Sequence, residues 1–367
     1  MKNYNASRRR FLNTLGASAV LTASGIYSPH VFALSKKDKV GVALVGLGYY
    51  SRDLLAPALQ LTRHCYLAGI VTGSPEKIPV WQEQYSIPDK NVYSYETMHE
   101  IADNPAIDVI YIVLPTSMHE EYSVIAANTG KHVWCEKPMA MTVAECESII
   151  SACNKNKVQL TIGYRLQHEP NTQTIIQYAE SKPYGKIKHV IAQAGYYSST
   201  PDPNHWRMKK DMGGGAMYDM GVYPLNAARY ATGEEPIAIN ARHEWKRKEL
   251  FKEVDETTYF DLEFPSGAVA ECKTSVGENM NILNIGCEKG WYKLEPFQSY
   301  TNVGGVTSSG IKLDKTIENQ QATQMDDDAL AILGKKTILA PGEEGLADIR
   351  LIEAAKKSVA TGKTVKL

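Results

Sequence analysis

The sequence feature that most constrains the fold is a β-branched-rich run, residues 39–45, that ends in Gly46-Leu47-Gly48. The run predicts a buried strand, and the apolar spacing over residues 54–59 predicts a helix behind the turn. In such a unit the first glycine permits a tight turn, and the second lets a phosphate group approach the backbone at the helix N-terminus. The pattern therefore indicates a nucleotide-binding βαβ unit, although Ser51 stands where a third glycine is usual and a plain turn is the alternative.

The alternation of strand and helix patterns continues through the first half of the chain. The nearly unbroken apolar run over 109–114 is typical of a strand that is covered on both faces. Strands that alternate with helices at this spacing predict an α/β fold with a doubly wound parallel sheet over residues 38–163. The other segments predicted there are strands over 66–71, 132–135 and 159–162, a helix over 120–128 and a helix that begins at Thr142.

The pattern changes after about residue 164, where longer strand-like stretches replace the regular alternation. Pro265-Ser266-Gly267 lies between two of these stretches and is typical of a hairpin. We expect an α+β second domain over residues 164–367, in which helices back an antiparallel sheet. Its predicted segments are strands over 188–197, 237–245, 257–264, 268–274 and 281–286, and helices over 171–181, 217–230 and 343–360.

The N-terminus is typical of a removable export signal over residues 1–33. The basic run Arg8-Arg9-Arg10 precedes a weakly apolar segment over 11–26, and Val31-Phe32-Ala33 provides a small-residue cleavage site. The paired arginines before Phe11 are similar to the twin-arginine type, which exports folded proteins. We therefore expect the twin-arginine machinery as a partner, a periplasmic or otherwise exported location, and no membrane span in the mature chain. An uncleaved N-terminal helix or arm is the alternative.

Charge and residue spacing argue against several classes of function. The formal net charge of −1 argues against nucleic acid or an anionic membrane as the main partner. The six cysteines contain no close CxxC pair, so we expect buried free thiols rather than a zinc ribbon or a redox motif. His119, His168, Glu169 and His205 lack a metal-ligand spacing such as HExxH, so no metal site is expected.

The end of the second predicted strand bears on the choice between NAD and NADP. An NAD site usually carries an acidic residue there, which binds the ribose 2′-hydroxyl. This chain instead has Ser74 and Lys77, a hydroxyl and a cation that suit the 2′-phosphate of NADP. NAD is the less favoured cofactor, but the acidic Glu76 lies nearby and keeps it as an alternative; a solvated turn is the structural alternative.

Three side chains are candidates for acid–base chemistry. Lys137, in Cys135-Glu136-Lys137-Pro138, follows a strand and is expected at the carboxyl edge of the sheet, where such folds bind ligands. Asp219 and Tyr223 are four residues apart, and on one helix they would share a face. A tyrosine can exchange a proton with a hydroxyl once a cation such as Lys137 lowers its pKa. Taken singly, a surface lysine and a packed tyrosine are the plainer interpretations.

Taken together, these residues resemble the glucose–fructose oxidoreductase branch of the Gfo/Idh/MocA family, over nearly the whole chain. Glu-Lys-Pro together with Asp-x-x-x-Tyr is much more specific than the glycine turn. The resemblance implies a Rossmann NADP-binding domain, followed by a substrate domain with a large open, mainly antiparallel sheet. Because such a sheet often serves oligomerisation in the family, we expect a homo-oligomer, either a dimer or a tetramer. The matching segments are the twin-arginine start, GLGYY, GSPEK, VLPTSMH, GKHVWCEKPM, IGYR, HWR, GGGAMYDMGVYPLNAARY, TGEEP and PGEEG.

The resemblance also implies roles for individual residues. Lys137 matches the active-site lysine, Tyr223 matches the catalytic tyrosine where many relatives have histidine, and Asp219 matches an aspartate that orients the substrate. Loop residues around His168 and over 198–204 depart from the pattern, which leaves the sugar open. The positions implied to contact NADP are Gly46, Gly48, Tyr49, Ser74, Lys77, Pro115, Ser117, His119, Glu136, Lys137, Arg165, Trp206, Arg207 and, as a looser match, Tyr300.

The function these residues favour is hydride transfer between a small-molecule sugar and tightly bound NADP. Tyr223 would take the hydroxyl proton, Lys137 would stabilise the alkoxide, and a second sugar would take the hydride back. Tight binding is expected because free NADP is scarce outside the cytoplasm. The alternatives are an exported NAD-dependent glycosidase of the same family, which is redox-neutral, and a sugar-binding protein without catalysis.

Overall fold

The computed structural model describes residues 37–199 and 201–367, so the export signal predicted over 1–33 lies outside the described residues. In the described part, the strands form one sheet of six strands and one of nine. The first sheet contains β1 (Val40–Val45), β2 (Cys65–Val71), β3 (Val92–Tyr93), β4 (Val109–Ile112), β5 (His132–Cys135) and β6 (Leu160–Ile162).

The six-stranded sheet confirms the predicted doubly wound parallel architecture. Its order is β3-β2-β1-β4-β5-β6, and each neighbouring pair is parallel. Every residue of β1 and of β4 is buried, as expected for strands that are covered on both faces. This strand order places the break between the two halves of the sheet at β1 and β4, the point where such folds bind dinucleotides. The helices of this part are Ser51–Leu55, which is π-helical and continues as α1 (Ala56–Leu59), α2 (Ile78–Tyr85), α3 (His119–Asn128) and α4 (Val143–Asn156).

The second half of the described chain forms a mixed, mainly antiparallel sheet. Its order is β14-β13-β12-β11-β7-β10-β9-β8-β15. This confirms the predicted mainly antiparallel sheet, and at its centre β10 runs parallel to β7 from Val269↔His189 to Ser275↔Gly195. The chain leaves the sheet after β7 and returns as the meander β8-β9-β10, whose third strand meets β7 in the same direction. The strands are β7 (Ile187–Tyr197), β8 (Ala238–Glu244), β9 (Thr257–Glu263), β10 (Val269–Ser275), β11 (Gly277–Cys287), β12 (Gly290–Leu294), β13 (Gly305–Thr307), β14 (Lys312–Leu313) and β15 (Val365–Lys366).

The helix predicted over 217–230 is divided into two. The helices of the second half are α5 (Pro170–Ser181), α6 (Ala216–Asp219), α7 (Val222–Thr232), α8 (Gln320–Ile332) and α9 (Gly342–Thr361). The break falls at Met220 and Gly221, where a Cβ on Gly221 would lie 2.3 Å from the Met217 carbonyl oxygen. Asp219 therefore ends one helix and Tyr223 begins the next, so they do not share a single helix face as predicted.

Helix α8, which the sequence pattern did not predict, returns the chain to the first sheet. Its Ala322, Met325 and Ala329 pack in a hydrophobic core with residues of β1, β2, β4 and β5. Helix α9 confirms the prediction over 343–360 and begins two residues after Ala340, whose carbonyl oxygen accepts a hydrogen bond of 2.8 Å from the Ile162 amide. The two sheets thus belong to one packed body around residues 38–367. No helix in the described ranges is both long enough and apolar enough to cross a bilayer.

Candidate active site

A cleft of about 1160 Å³ opens at the carboxyl ends of the parallel strands. Residues from the first sheet form one side of it, and residues from the segments around β7, α6 and α7 form the other. Its volume suits a cofactor together with a small substrate. The predicted site residues that line it are Gly46, Gly48, Tyr49, Ser74, Lys77, Pro115, Glu136, Lys137, Trp206, Arg207, Asp219, Tyr223 and Tyr300.

The glycine turn after β1 has the backbone geometry that a dinucleotide requires. Gly46 has φ +88°, and a Cβ there would lie 2.4 Å from the Val113 carbonyl oxygen, so only glycine fits. A Cβ on Gly48 would meet no atom within 4 Å, so the backbone faces open space in the cleft. Ser51, at the usual third-glycine position, is buried and donates a 2.5 Å hydrogen bond to the Gly46 carbonyl oxygen. The cradle therefore fits a pyrophosphate without the third glycine.

The end of β2 brings a cation to this turn. The Lys77 ammonium donates a hydrogen bond of 3.3 Å to the Leu47 carbonyl oxygen, inside the glycine turn. Ser74 lines the cleft beside it, and its amide donates to the Thr72 hydroxyl at 3.0 Å. Glu76 is exposed. The strand end thus presents a hydroxyl and a positive charge to the cleft, which is the chemistry that binds a phosphate group.

Lys137 and Tyr223 lie close together in the cleft, although 86 positions separate them in the sequence. The Lys137 Nζ lies 4.9 Å from the centre of the Tyr223 ring and donates a 3.0 Å hydrogen bond to the Asp219 carbonyl oxygen. Burial raises the pKa of Tyr223, but the positive charges of Lys137 and Arg165 outweigh burial and lower the pKa below its ordinary value of 10.0. The side chain is therefore suited to exchange a proton with a hydroxyl.

Asp219 is held as a carboxylate. Its Oδ2 lies 3.1 Å from the Arg207 Nε and accepts a 3.1 Å hydrogen bond from the Tyr196 hydroxyl. Burial raises the pKa of Asp219, but the charges of Arg207 and Lys137 more than compensate and lower it below its ordinary value. The Arg207 guanidinium also lies 4.3 Å from the Trp206 ring. The arrangement gives the cleft an oriented acceptor for hydroxyl groups.

Glu136 is a buried carboxyl that faces the same group of side chains. The Tyr111 hydroxyl donates a 2.6 Å hydrogen bond to its Oε1, and burial raises the pKa of Glu136. A Cβ on Gly163 would lie 2.6 Å from that oxygen, so the neighbouring strand end must be glycine at this point. Glu136 therefore lines the cleft with a carboxyl group whose position is fixed by the hydrogen bond from Tyr111.

Three residues implied to contact the cofactor lie behind the lining: Ser117, His119 and Arg165. His119 is buried, and its two ring nitrogens each lie 2.8 Å from a carbonyl oxygen, those of Leu114 and Pro138. Both of these carbonyl-bearing residues line the cleft. The structure thus places His119 between two lining loops. Burial lowers the pKa of His119, and the neutral ring can donate a hydrogen bond to one of the two carbonyl oxygens.

Arg165 is 2% exposed and lies between two aromatic rings. Its guanidinium carbon is 5.5 Å from the centre of the Tyr223 ring and 4.4 Å from that of Tyr300. One of its terminal nitrogens donates to the Ser299 carbonyl oxygen at 3.1 Å and to the Gln320 side chain, and the other donates to the Gln298 carbonyl oxygen. Arg165 therefore supports the cleft wall from behind.

Sequence reasoning missed several residues of the site. Tyr50, Tyr95 and Tyr196 line the cleft. Tyr50 lies two residues after Gly48, and this closeness to the glycine turn was a usable signal. Tyr196 lies in the strand next to the cleft but in an ordinary alternating pattern, so only the fold reveals its contact with Asp219. Within the described residues, no group of three or more His, Cys, Asp or Glu side chains could hold a metal ion.

Two regions of the chain match known family models. Residues 40–164 match the oxidoreductase family with an NAD-binding Rossmann fold, GFO/IDH/MocA, and residues 172–293 match the GFO/IDH/MocA C-terminal domain. These two ranges cover the six-stranded sheet and the larger part of the nine-stranded one.

Individual proteins resemble the chain over nearly its full length. Its fold is similar to that of aldose–aldose oxidoreductase from Caulobacter crescentus, crystallised with glycerol, with a TM-score of 0.86 and 38% identity over 90% of this chain and 100% of that one. D-xylose 1-dehydrogenase [NADP(+)] from Haloarcula marismortui is 28% identical over 90% of this chain and 94% of its own length. D-glucoside 3-dehydrogenase from Escherichia coli is 26% identical, over 89% of this chain and 97% of its own.

Proposed function

Because the chain belongs to the GFO/IDH/MocA family of oxidoreductases, which bind a nicotinamide dinucleotide, we propose that it is an exported, NADP-dependent sugar oxidoreductase of the glucose–fructose oxidoreductase type. The observation that carries the proposal is the meeting of Lys137, Asp219 and Tyr223 in the cleft onto which the Gly46–Gly48 turn opens. The similarity to an aldose–aldose oxidoreductase and to a xylose dehydrogenase named for NADP(+) supports a sugar as the substrate.

The cleft residues divide between cofactor and substrate. The open backbone at Gly48 receives the pyrophosphate, and Ser74 and Lys77 bind the 2′-phosphate that distinguishes NADP from NAD. The nicotinamide ring, when bound, supplies the hydride acceptor for the sugar carbon. Asp219 accepts a hydrogen bond from a sugar hydroxyl and so orients the ring, since Arg207 and Tyr196 fix its carboxylate in place.

The proton of the reacting hydroxyl goes to the Tyr223 oxygen. The Lys137 side chain stabilises the negative charge that develops on the sugar oxygen while the C–H bond breaks. The result is a carbonyl on the sugar and a neutral phenol at Tyr223. The reaction runs in reverse when the carbonyl of a second sugar is reduced, and Tyr223 then gives its proton to the new hydroxyl.

The proposal is tested by adding sugars to the purified protein in the presence of NADP and recording the ultraviolet absorbance of reduced nicotinamide. D-xylose and D-glucose are the first donors to try, with sorbitol and a methyl glycoside as comparisons. An absorbance band that appears with an aldose and fades on addition of a second aldose is expected. If no sugar produces the band with NADP or with NAD, the proposed reaction is wrong.

A redox-neutral glycosidase, the alternative expected from the sequence, has no counterpart among the three relatives described above, which are dehydrogenases or oxidoreductases by name. Release of sugar from a glycoside without a change in nicotinamide absorbance would favour it. The homo-oligomer and the twin-arginine route remain parts of the proposal. They are supported by the open second sheet and by Arg8 and Arg9, respectively.

A further inference from the structure

Arg165 carries a positive charge that no carboxylate in the described part of the chain neutralises at ion-pair distance. The oxygens that accept its hydrogen bonds belong to the main chain of Gln298 and Ser299 and to the Gln320 amide, all of them uncharged. Its Nε is buried and has no hydrogen-bond partner. A guanidinium keeps its proton at any working pH. Arg165 is therefore a permanent, buried cation with no carboxylate at ion-pair distance in the described residues, although Glu136 interacts with its charge from farther away.

The nearest groups that can respond to this charge are phenols. The guanidinium carbon lies 5.5 Å from the Tyr223 ring centre, and the Lys137 ammonium lies 4.9 Å from the same centre. Within this cleft, Tyr223 is thus a phenol that faces two cations. Burial strengthens both interactions, because a charge acts more strongly where water is excluded.

Two other phenols in the same cluster show why both cations matter. Tyr300 lies 4.4 Å from the Arg165 guanidinium carbon, closer than Tyr223, yet burial and the neighbouring Tyr223 raise its pKa above the ordinary value. Burial and Glu136 likewise raise the pKa of Tyr50. Glu136 is the carboxyl that opposes the two cations at Tyr223, and the pKa of Tyr223 nevertheless falls.

We propose that Arg165 is a positioning residue of the reaction, which stabilises the phenolate form of Tyr223 by a fixed charge at a guanidinium-to-ring distance of 5.5 Å. The proposal rests on the proposed function only in assigning a use to the phenolate. Lys137 also has to stabilise the sugar oxygen. The permanent charge of Arg165 therefore continues to stabilise the Tyr223 phenolate while Lys137 interacts with the substrate. Helix α8 takes part through Gln320, which helps hold the guanidinium in place.

The test is a titration of tyrosinate absorbance in the protein without sugar, compared with the Tyr223→Phe variant to isolate the signal of one phenol. We expect Arg165→Gln to move that titration to higher pH by about one unit or more, a tenfold change in acidity, and Arg165→Lys to move it less. Arg242→Gln is the matched control, because Arg242 stacks on Tyr259 at 4.0 Å outside the cleft and its loss should leave the Tyr223 titration in place.

An Arg165→Gln variant that folds and titrates as the unmodified protein does would overturn the proposal. If that variant does not fold, the Lys137→Met variant tests the proposal instead, because this substitution leaves all hydrogen-bond partners of Arg165 in place. Arg165 should then still hold the Tyr223 titration below that of Tyr50 and Tyr300. If Tyr223 in the Lys137→Met variant instead titrates at the same pH as Tyr50 and Tyr300, Lys137 alone lowers the pKa of Tyr223 and the proposal is wrong. Because no substrate is present, these outcomes are independent of whether the protein oxidises a sugar.

Discussion

At the residue scale, the chemistry that we propose depends on a phenol that loses its proton more readily than an ordinary tyrosine. Burial acts against ionisation of Tyr223, and the charges of Lys137 and Arg165 outweigh it, so its pKa lies below 10.0. Oxidation of a sugar needs the phenolate as proton acceptor. We therefore expect the rate of sugar oxidation to rise with pH and to level off above the pKa of Tyr223, while carbonyl reduction, which needs the neutral phenol, falls over the same interval.

The measurement is the pH dependence of kcat in each direction, with saturating sugar and NADP or NADPH. Opposite trends that share one apparent pKa are expected. A rate of oxidation that is flat with pH, or that falls as pH rises, would contradict a phenolate acceptor.

A second residue-scale prediction concerns cofactor choice. Lys77→Ala removes the cation at the end of β2, and a charge-assisted hydrogen bond to phosphate is worth roughly 1.5–3 kcal/mol. We expect the Kd for NADP to increase about ten- to a hundred-fold, with little change for NAD. Glu76→Ala, an exposed neighbour in the same turn, is the control and should change neither affinity much. Equal losses for NADP and NAD in Lys77→Ala would show that Lys77 does not contact the 2′-phosphate.

At the scale of elements, helix α7 carries Tyr223 and is tied to α9 by one buried arginine. Arg229 on α7 lies 2.8 Å from Asp348 and 3.0 Å from Glu344, both on α9. Arg229→Met leaves the buried Asp348 carboxyl without its cation, and removing one partner of a buried pair costs roughly 3–5 kcal/mol. We expect a clearly lower midpoint of denaturant unfolding for this variant.

The matched control for that prediction changes the exposed partner of the same arginine. Arg229 also pairs with Glu235 at 2.8 Å, but the Glu235 side chain is 66% exposed. Glu235→Gln should therefore cost less than about 1 kcal/mol. If both variants unfold at the same denaturant concentration, the buried contacts to α9 do not stabilise α7 as described.

Elements with a strong local signal could be predicted from the sequence. The strands β1 and β4 are apolar on both faces, and Gly46 and Gly48 mark the turn, so the parallel sheet followed directly. Helix α8 could not be predicted, because its buried side chains include Gln320, Gln324 and Asp328, which are typical of solvent-exposed positions. Their partners, such as Arg165 and Tyr111, are distant in sequence.

The candidate site was predictable where a motif carried it and not where tertiary contacts did. Lys137 and Tyr223 were identified because Glu-Lys-Pro and Asp-x-x-x-Tyr are specific patterns. The contact of Arg207 with Asp219 depends on the loop before α6 folding back over the cleft, which no local signal encodes. The break at Gly221 was missed as well, because a single glycine is often tolerated inside a helix.

At the scale of the whole molecule, the two sheets are not independent units. One hydrophobic core includes Ile110 of the first sheet together with Val190 and Leu283 of the second, and α8 completes the other core beneath the first sheet. The two sides of the cleft, one from each sheet, are therefore packed against the same hydrophobic core. The tight retention of the cofactor that we propose requires slow dissociation, since differences in affinity between related complexes lie mainly in the dissociation rate.

Slow release of the cofactor gives a prediction that tests the proposed export. If Arg8 and Arg9 direct export of the folded chain, NADP has to bind before translocation and remain bound. Protein purified from the periplasm without added nucleotide should already contain NADP and should turn over a pair of aldoses with parallel double-reciprocal lines. Arg8→Lys together with Arg9→Lys should leave the protein, still loaded, in the cytoplasm. Exported protein that contains no nucleotide would contradict tight retention.

The most direct test of the account follows the hydrogen itself. The protein with bound NADP is mixed with an aldose that carries deuterium on the reacting carbon, and the nicotinamide is analysed after one turnover by mass spectrometry. The account predicts deuterium in the reduced nicotinamide, and a rate about 10²–10⁴-fold lower in Tyr223→Phe with the same cofactor content. Deuterium that remains in the sugar or passes to water, or a Tyr223→Phe variant as fast as the unmodified protein, would contradict hydride transfer assisted by Tyr223.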